Sequence, residues 1–204
     1  MSVTDELLQN NERYAASFDK GDLPLPPAKG VAIVACMDVR LNVYGMLGLE
    51  DGDTHVIRNA GGVITDDEIR SLAISQRLLG TREVILLHHT DCGMLTFSDE
   101  ELREQIQQEV GIKPHFPLET FADLEEDVRQ SIRRIQVSPF ISHKDSVRGF
   151  IYEVESGRHG GYLTSVPALC SSSKRDTTGP PPSGGRRRNE TCTRELRTSG
   201  SRRT

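Results

Sequence analysis

Three residue types with metal-binding chemistry stand at two places in this chain. The first is Cys36-Met37-Asp38-Val39-Arg40, a thiol, a carboxylate and a guanidinium at alternate positions. The second is His89-Thr90-Asp91-Cys92-Gly93, in which His89 and Cys92 have the spacing that lets one loop offer a nitrogen and a sulfur to one ion. Two thiolates and one imidazole make a tetrahedral zinc site with one position open, and an open position is where chemistry can occur. The ion would lower the pKa of a bound water from about 15.7 to about 7, as catalytic zinc sites do. Two anionic thiolates offset the metal's charge, so this site should acidify water less than three histidines would. Asp38 can accept a hydrogen bond from the resulting hydroxide and orient it, and Arg40 keeps that carboxylate ionised.

For this to work, two strands must deliver the residues to one place. Val31-Ala32-Ile33-Val34-Ala35 runs into Cys36, and Val84-Ile85-Leu86-Leu87 runs into His88-His89. Apolar runs without polar alternation read as strands buried on both faces, the habit of parallel sheets. If the two strands are neighbours, their ends lie about 5 Å apart, so Cys36, His89 and Cys92 can converge. Ligands in open α/β sheets bind at such carboxyl ends.

The remaining elements fit an α/β fold. Thr4 can cap a helix running to about Phe18, and Leu23-Pro24-Leu25-Pro26-Pro27 must then run extended. This arm, residues 1–29, packs either on a neighbouring subunit or on its own domain's flank. Leu41–Leu47 suits a helical turn or two, and His55–Asn59 a short strand ending in the tight Ala60-Gly61-Gly62 loop. Thr65-Asp66-Asp67-Glu68 and Ser98-Asp99-Glu100-Glu101 are capping boxes opening two helices, which Gly80 and Gly111 close. A further amphipathic helix covers about Phe121–Gln136, and Val147–Val154 gives a fourth strand. Alternating strands and helices imply a parallel four-stranded sheet flanked by helices. The order 2-1-3-4 puts the topological switch point between the strands that end in Cys36 and His89.

Charge divides the chain. Of its 25 basic and 30 acidic residues, ten and three fall in 158–204, which leaves 15 against 27 in residues 1–157. An acidic body argues against nucleic acid as a partner. Residues 158–204 are rich in Arg, Ser, Gly, Pro and Thr and are expected to be disordered. Their composition also resembles a GC-rich coding region read out of frame, and the rival role is a basic tether to an acidic surface. The catalytic domain is accordingly 30–157. No stretch has the roughly 18 apolar residues of a membrane span, and the first residues lack the pattern of a signal peptide, so a cytoplasmic protein without membrane partners is expected.

Several residues admit plainer roles. Cys36 and Cys92 could form a redox disulfide, although a reducing compartment favours thiols. His88 points away from His89 by strand alternation and reads as a satisfied core histidine. Asp91 either orients a ligand histidine or caps its loop. Cys170 and Cys192 lie in the tail without a partner at ligand spacing, and Arg186-Arg187-Arg188 reads as a solvated charge run.

Cys36-x-Asp38-x-Arg40 with His89-x-x-Cys92-Gly93 resembles the β-class carbonic anhydrases, the small mycobacterial-type members in particular. Arg58-Asn59-Ala60-Gly61-Gly62 between the two stretches extends the likeness. The resemblance implies a carbonate dehydratase, a lyase that reversibly hydrates carbon dioxide to bicarbonate and a proton. It implies one zinc ion per chain on Cys36, His89 and Cys92, Asp38 and Arg40 as paired residues with the arginine drawing the aspartate off the metal, and a homodimer or higher homo-oligomer. The N–H of Gly93 is a candidate to steady a bicarbonate oxygen. His55 is the candidate proton shuttle, since its ordinary pKa suits the task. The alternatives are a related zinc hydrolase on the same scaffold, such as one cleaving carbon disulfide, or a non-catalytic zinc-stabilised binding protein. The latter would need a fourth protein ligand, for which only Asp38 is available.

Overall fold

The computed structural model describes residues 2–160. Five strands form one sheet in the order β2-β1-β3-β4-β5, with β1 (Val31–Cys36), β2 (His55–Asn59), β3 (Glu83–His89) and β4 (Ser146–Glu153) parallel. The order 2-1-3-4 expected for the parallel strands is the order found. The fifth strand, Arg158–His159, was not expected: it turns back antiparallel against Tyr152 and Glu153, so the sheet runs two residues past Gly157. The expected disordered tail otherwise lies outside the described residues.

Strand β1 is continuous and apolar because both its faces are covered. Ala32 and Val34 face one side, where Leu72 of α3 (Asp66–Leu79) and Val128, Ile132 and Ile135 of α5 (Leu124–Val137) pack against the sheet. Ile33 and Ala35 face the other, with Val43 of α2 (Val43–Leu47) and Leu87. Burying each of the Val, Leu and Ile side chains contributes about 1.5–3 kcal/mol relative to leaving it in water.

The local helix signals behave as the capping rules require. Thr65 and Ser98 each complete a capping box, with Glu68 and Glu101 respectively, at the starts of α3 and α4 (Asp99–Val110). The starts of α1 (Val3–Ala15) and α5 differ from expectation because of their caps, and α1 ends at Ala15 rather than about Phe18. Helix α1 is capped by Ser2 rather than Thr4, because Ser2 and Asp5 form a reciprocal box. Helix α5 begins at Leu124, since Asp123 caps it through the Glu126 N–H and Phe121 is drawn instead into a cluster with Cys36, Cys92 and Met94. No residue of α1 is buried in this chain.

Candidate metal centre

Cys36 closes β1, His89 closes β3, and Cys92 follows three residues later. Because β1 and β3 are adjacent and parallel in register, their carboxyl ends come out side by side. The two sulfurs and one imidazole nitrogen lie within 4.8 Å of one another, the one such cluster among the described residues, and all three side chains are buried. A 3₁₀ turn, Gly93–Leu95, follows Cys92 directly.

The donor set suits a soft divalent ion. The His89 Nδ1–H donates to its neighbour's Thr90 carbonyl at 2.8 Å, which fixes the tautomer and leaves Nε2 as a lone pair. That Nε2 is buried without a hydrogen-bond partner among the described residues, a costly arrangement unless an ion takes the lone pair. The two thiols perturb one another: the neighbouring Cys92 thiol pulls Cys36 below its ordinary value against the opposing effect of burial, with the His89 ring and the N–H groups of Asp38 and Gly61 assisting, while the same neighbour and burial push Cys92 up.

Asp38 stands beside the trio but is engaged elsewhere. Arg40 grips it in a fork, Nε to Oδ1 at 2.9 Å and Nη2 to Oδ2 at 2.8 Å, and the Arg40 backbone N–H adds a third bond to Oδ1 at 2.9 Å. This holds the carboxyl far below the usual carboxylate range. Oδ2 also lies 3.8 Å from His89 Nε2, so it faces the trio while bound to the arginine. Arg40 itself is anchored from the second loop: its Nη1 donates to Asp91 Oδ2 at 2.8 Å and its Nη2 to the Asp91 carbonyl at 3.0 Å. Asp91 therefore neither orients a ligand histidine nor caps its loop. It ties the His89–Cys92 loop to the Asp38–Arg40 loop, from the left-handed backbone (φ 54°) that aspartate tolerates.

Arg58 was noted in the sequence only as part of a resemblance, and its role is structural support for the ligands. From the fourth position of β2 it reaches over the end of β1. Its Nε and Nη2 donate to the Cys36 carbonyl at 3.1 and 2.9 Å, and Nη2 donates also to the Asp38 carbonyl at 2.6 Å. A planar fork can satisfy two carbonyls at once and a lysine ammonium cannot match it. Arg58→Lys should therefore weaken metal binding about 10–100-fold, the usual effect of losing support behind a ligand. Competition with a chelator measures this, and unchanged affinity would show that the clamp is dispensable.

His55 does not reach this site. It opens β2 in register with Ala32, four residues before Cys36 on the neighbouring strand, or roughly 13 Å at strand spacing. Its Nδ1 pairs with Ser75 Oγ at 2.8 Å, and Ser75 in turn with Thr81, at the amino end of the sheet. A shuttle role within one chain is thus contradicted by the strand's direction. His88 faces the opposite side of β3, buried, with Nε2 2.7 Å from Asp127 Oδ2; its Nδ1 is buried without a hydrogen-bond partner among the described residues, so the expected satisfied core histidine is satisfied at one nitrogen only.

The trio opens into a cavity of about 510 Å³, which Gly93 also lines, with Phe97, Leu102 and Leu118 contributing apolar walls. None of these wall residues was legible as functional, since they come from three separate segments with no shared spacing. A larger groove of about 650 Å³, lined by Ile64, Ile69, Phe116 and Phe140, contains no thiol or imidazole and shares no residue with the site.

Comparison with known proteins agrees with this geometry. The carbonic anhydrase family model matches residues 31–159. Over 158 residues the chain is 62% identical to β-carbonic anhydrase 1 of Mycobacterium tuberculosis, an alignment covering 78% of this chain and 96% of that protein. The crystal structure of carbonic anhydrase from Streptococcus mutans superposes with a TM-score of 0.74 at 44% identity, covering 78% of this chain and 97% of that one. A carbon disulfide hydrolase of Acidianus sp. is 30% identical over 178 residues, covering 76% of this chain and 86% of that protein. A family match across more than half of the chain, joined to this identity over nearly the whole of a named relative, makes the chain a member of the β-class carbonic anhydrases.

Proposed function

We propose that Cys36, His89 and Cys92 hold one zinc ion per chain and that Asp38, paired with Arg40, serves the family's reaction beside it. That reaction is the reversible hydration of carbon dioxide to bicarbonate and a proton, and the enzyme is a lyase. The observation that carries the assignment is a carboxylate adjoining a three-ligand trio yet held off it by an arginine. A closed structural zinc site would spend that carboxylate as its fourth ligand. Zinc in such a site supplies Lewis acidity and one open position at which water becomes acidic near neutral pH.

The chain's own residues supply orientation and binding. Asp38 Oδ2 keeps acceptor capacity toward the trio, and because Arg40 holds the carboxyl ionised it acts as a permanent hydrogen-bond acceptor, not as an acid. It thereby fixes the direction of the attacking oxygen's lone pair. The apolar wall suits neutral carbon dioxide, which has no proton to donate. The Gly93 N–H is proposed to meet the product's oxygen. Carbon disulfide has weaker support as substrate, since the hydrolase of that name is 30% identical against 62% for the carbonic anhydrase.

The same reading extends to organisation. Residues 30–157, together with the strand Arg158–His159 that joins their sheet, are the proposed catalytic domain, with 1–29 as an arm and the residues beyond as an appended segment. Leu7, Leu8 and Tyr14 are exposed on α1, which supports docking against a second copy and hence a homodimer or larger homo-oligomer. The cytoplasm is the proposed location because the trio requires reduced thiols. No helix among the described residues is long and apolar enough to cross a membrane.

Asp38→Ala tests the site directly. Zinc content should be unchanged while the stopped-flow hydration rate falls about 10²–10³-fold, the usual cost of losing one oriented partner in an active site. A variant with full zinc and wild-type turnover would reduce Asp38 to a structural role.

A further inference from the structure

Between α4 and α5 runs a strap, residues 112–123, without regular secondary structure. It carries Leu118, which lines the site cavity, and Phe121, whose ring packs near His88 and over Gly61. Between residues 112 and 122 its one backbone–backbone hydrogen bond joins the Phe121 N–H to the Met94 carbonyl at 3.4 Å. A segment so poor in ladder bonds has little stability of its own. Side chains hold it instead, and the densest tie is Asp99.

Asp99 is the first residue of α4, where an acidic group is ordinarily explained by the helix dipole. That explanation is insufficient here. Ser98 already caps the helix and Glu101 completes the box, so the terminus does not require Asp99. Both Asp99 oxygens turn to the strap: Oδ2 accepts the Leu118 N–H at 2.8 Å, and Oδ1 accepts the Thr120 N–H and Thr120 Oγ1–H, each at 2.9 Å. Between these donors Glu119 sits at φ 59°, a left-handed backbone that costs a glutamate about 1 kcal/mol or more. Such a conformation persists only when its surroundings over-determine it. Asp99 does so from both flanks, and Arg134 fixes the Glu119 carboxylate at 2.8 Å while bonding the Ile64 carbonyl at 2.7 Å. Burial alone would raise the Asp99 carboxyl, but the Thr120 and Leu118 N–H groups hold it below its ordinary value.

We propose that Asp99 is a positioning residue for the substrate cavity. By seating residues 118–120 on the start of α4, it holds Leu118 in the wall that Leu102, one turn further along α4, also lines. It touches neither the trio nor the Asp38–Arg40 pair, so it governs how well the cavity binds neutral substrate rather than the chemistry at the trio. The proposal rests on the reading of this cavity as the site of carbon dioxide hydration.

The test compares zinc-loaded full-length wild type with Asp99→Asn and Thr120→Val. Asparagine keeps one oxygen for Thr120 but turns an N–H₂ toward the Leu118 N–H, breaking that tie alone, and valine removes only the hydroxyl bond. Asp99→Asn should raise KM for carbon dioxide about fivefold with kcat within about twofold, the signature of lost uniform binding. Thr120→Val should move KM in the same direction by less. By hydrogen exchange, the amides of 118–121 should exchange at least about tenfold faster in Asp99→Asn while those of β3 stay unchanged. A fall in kcat at constant KM, or faster strap exchange with KM unmoved, would overturn the proposal. If Asp99→Asn does not fold, Thr120→Val decides alone, and an unmoved KM there overturns it. A wild type without hydration activity would instead remove the functional reading beneath it, so the two failures are distinct.

Discussion

Cys92→Ala should lose metal and activity together. Structural zinc sites bind their ion with roughly 10–16 kcal/mol, so removing one of three protein ligands forfeits several kcal/mol, a factor of about 10³ or more in affinity. No substitute is at hand, because the trio is the one such cluster among the described residues and Asp38 is committed to Arg40. The remaining residues would also lose their mutual fit: Cys36 loses the neighbouring thiol that holds its own below the ordinary value, and His89 Nε2 stays buried without a hydrogen-bond partner among the described residues. Cys36→Ala and His89→Ala should behave alike. The measurement is zinc per chain by elemental analysis beside the stopped-flow hydration rate. A Cys92→Ala protein retaining one zinc per chain and full turnover would end the assignment of the ligand set.

The convergence of Cys36, His89 and Cys92 was legible because both stretches end apolar runs, and a strand that is apolar on both faces can only be an inner strand of a layered sheet. Val31–Cys36 and Glu83–His89 are such strands, and their adjacency, an expectation from the sequence, is what the parallel register of β1 and β3 shows. The capping boxes at Thr65 and Ser98 were legible for a different reason: each is satisfied within four residues, so no tertiary information is needed. The same local rule misplaced the start of α1, where Ser2 and Thr4 are both eligible caps and only the reciprocal bond with Asp5 decides.

What depends on distance along the chain was not legible. Arg40 meets Asp91 across 51 positions, and Arg58 meets Cys36 across 22, with no periodicity to announce either. The wall formed by Phe97, Leu102 and Leu118 is likewise a product of folding alone. His55 is a different kind of error. Its pKa suits a shuttle, yet β2 runs parallel to β1, so its first residue must lie at the end of the sheet opposite Cys36. The inferred topology already contained that contradiction.

Gly62, in the glycine pair after β2, carries a large stability effect for a single added methyl group. Gly62 has φ 73°, and a Cβ built there would lie 2.9 Å from the Cys36 nitrogen, 3.0 Å from the Leu87 carbonyl oxygen and 3.2 Å from the Ala35 carbonyl carbon. These atoms belong to the backbones of β1 and β3, which cannot yield as the tip of a flexible side chain can. Left-handed backbone costs alanine about 1–2 kcal/mol, and the overlap adds at least as much, so Gly62→Ala should destabilise by about 3 kcal/mol or more. For a protein of this size that lowers the unfolding midpoint by roughly 10 °C. Gly93→Ala is the internal contrast, because a Cβ there meets nothing within 4 Å and its midpoint should stay near that of wild type. Thermal unfolding of both variants, with zinc content measured alongside, checks the pair. A Gly62→Ala midpoint within a degree or two of wild type would mean that the loop can lift off the strand ends. In that event the spacing of Cys36 from His89 would not depend on how closely this loop packs over them.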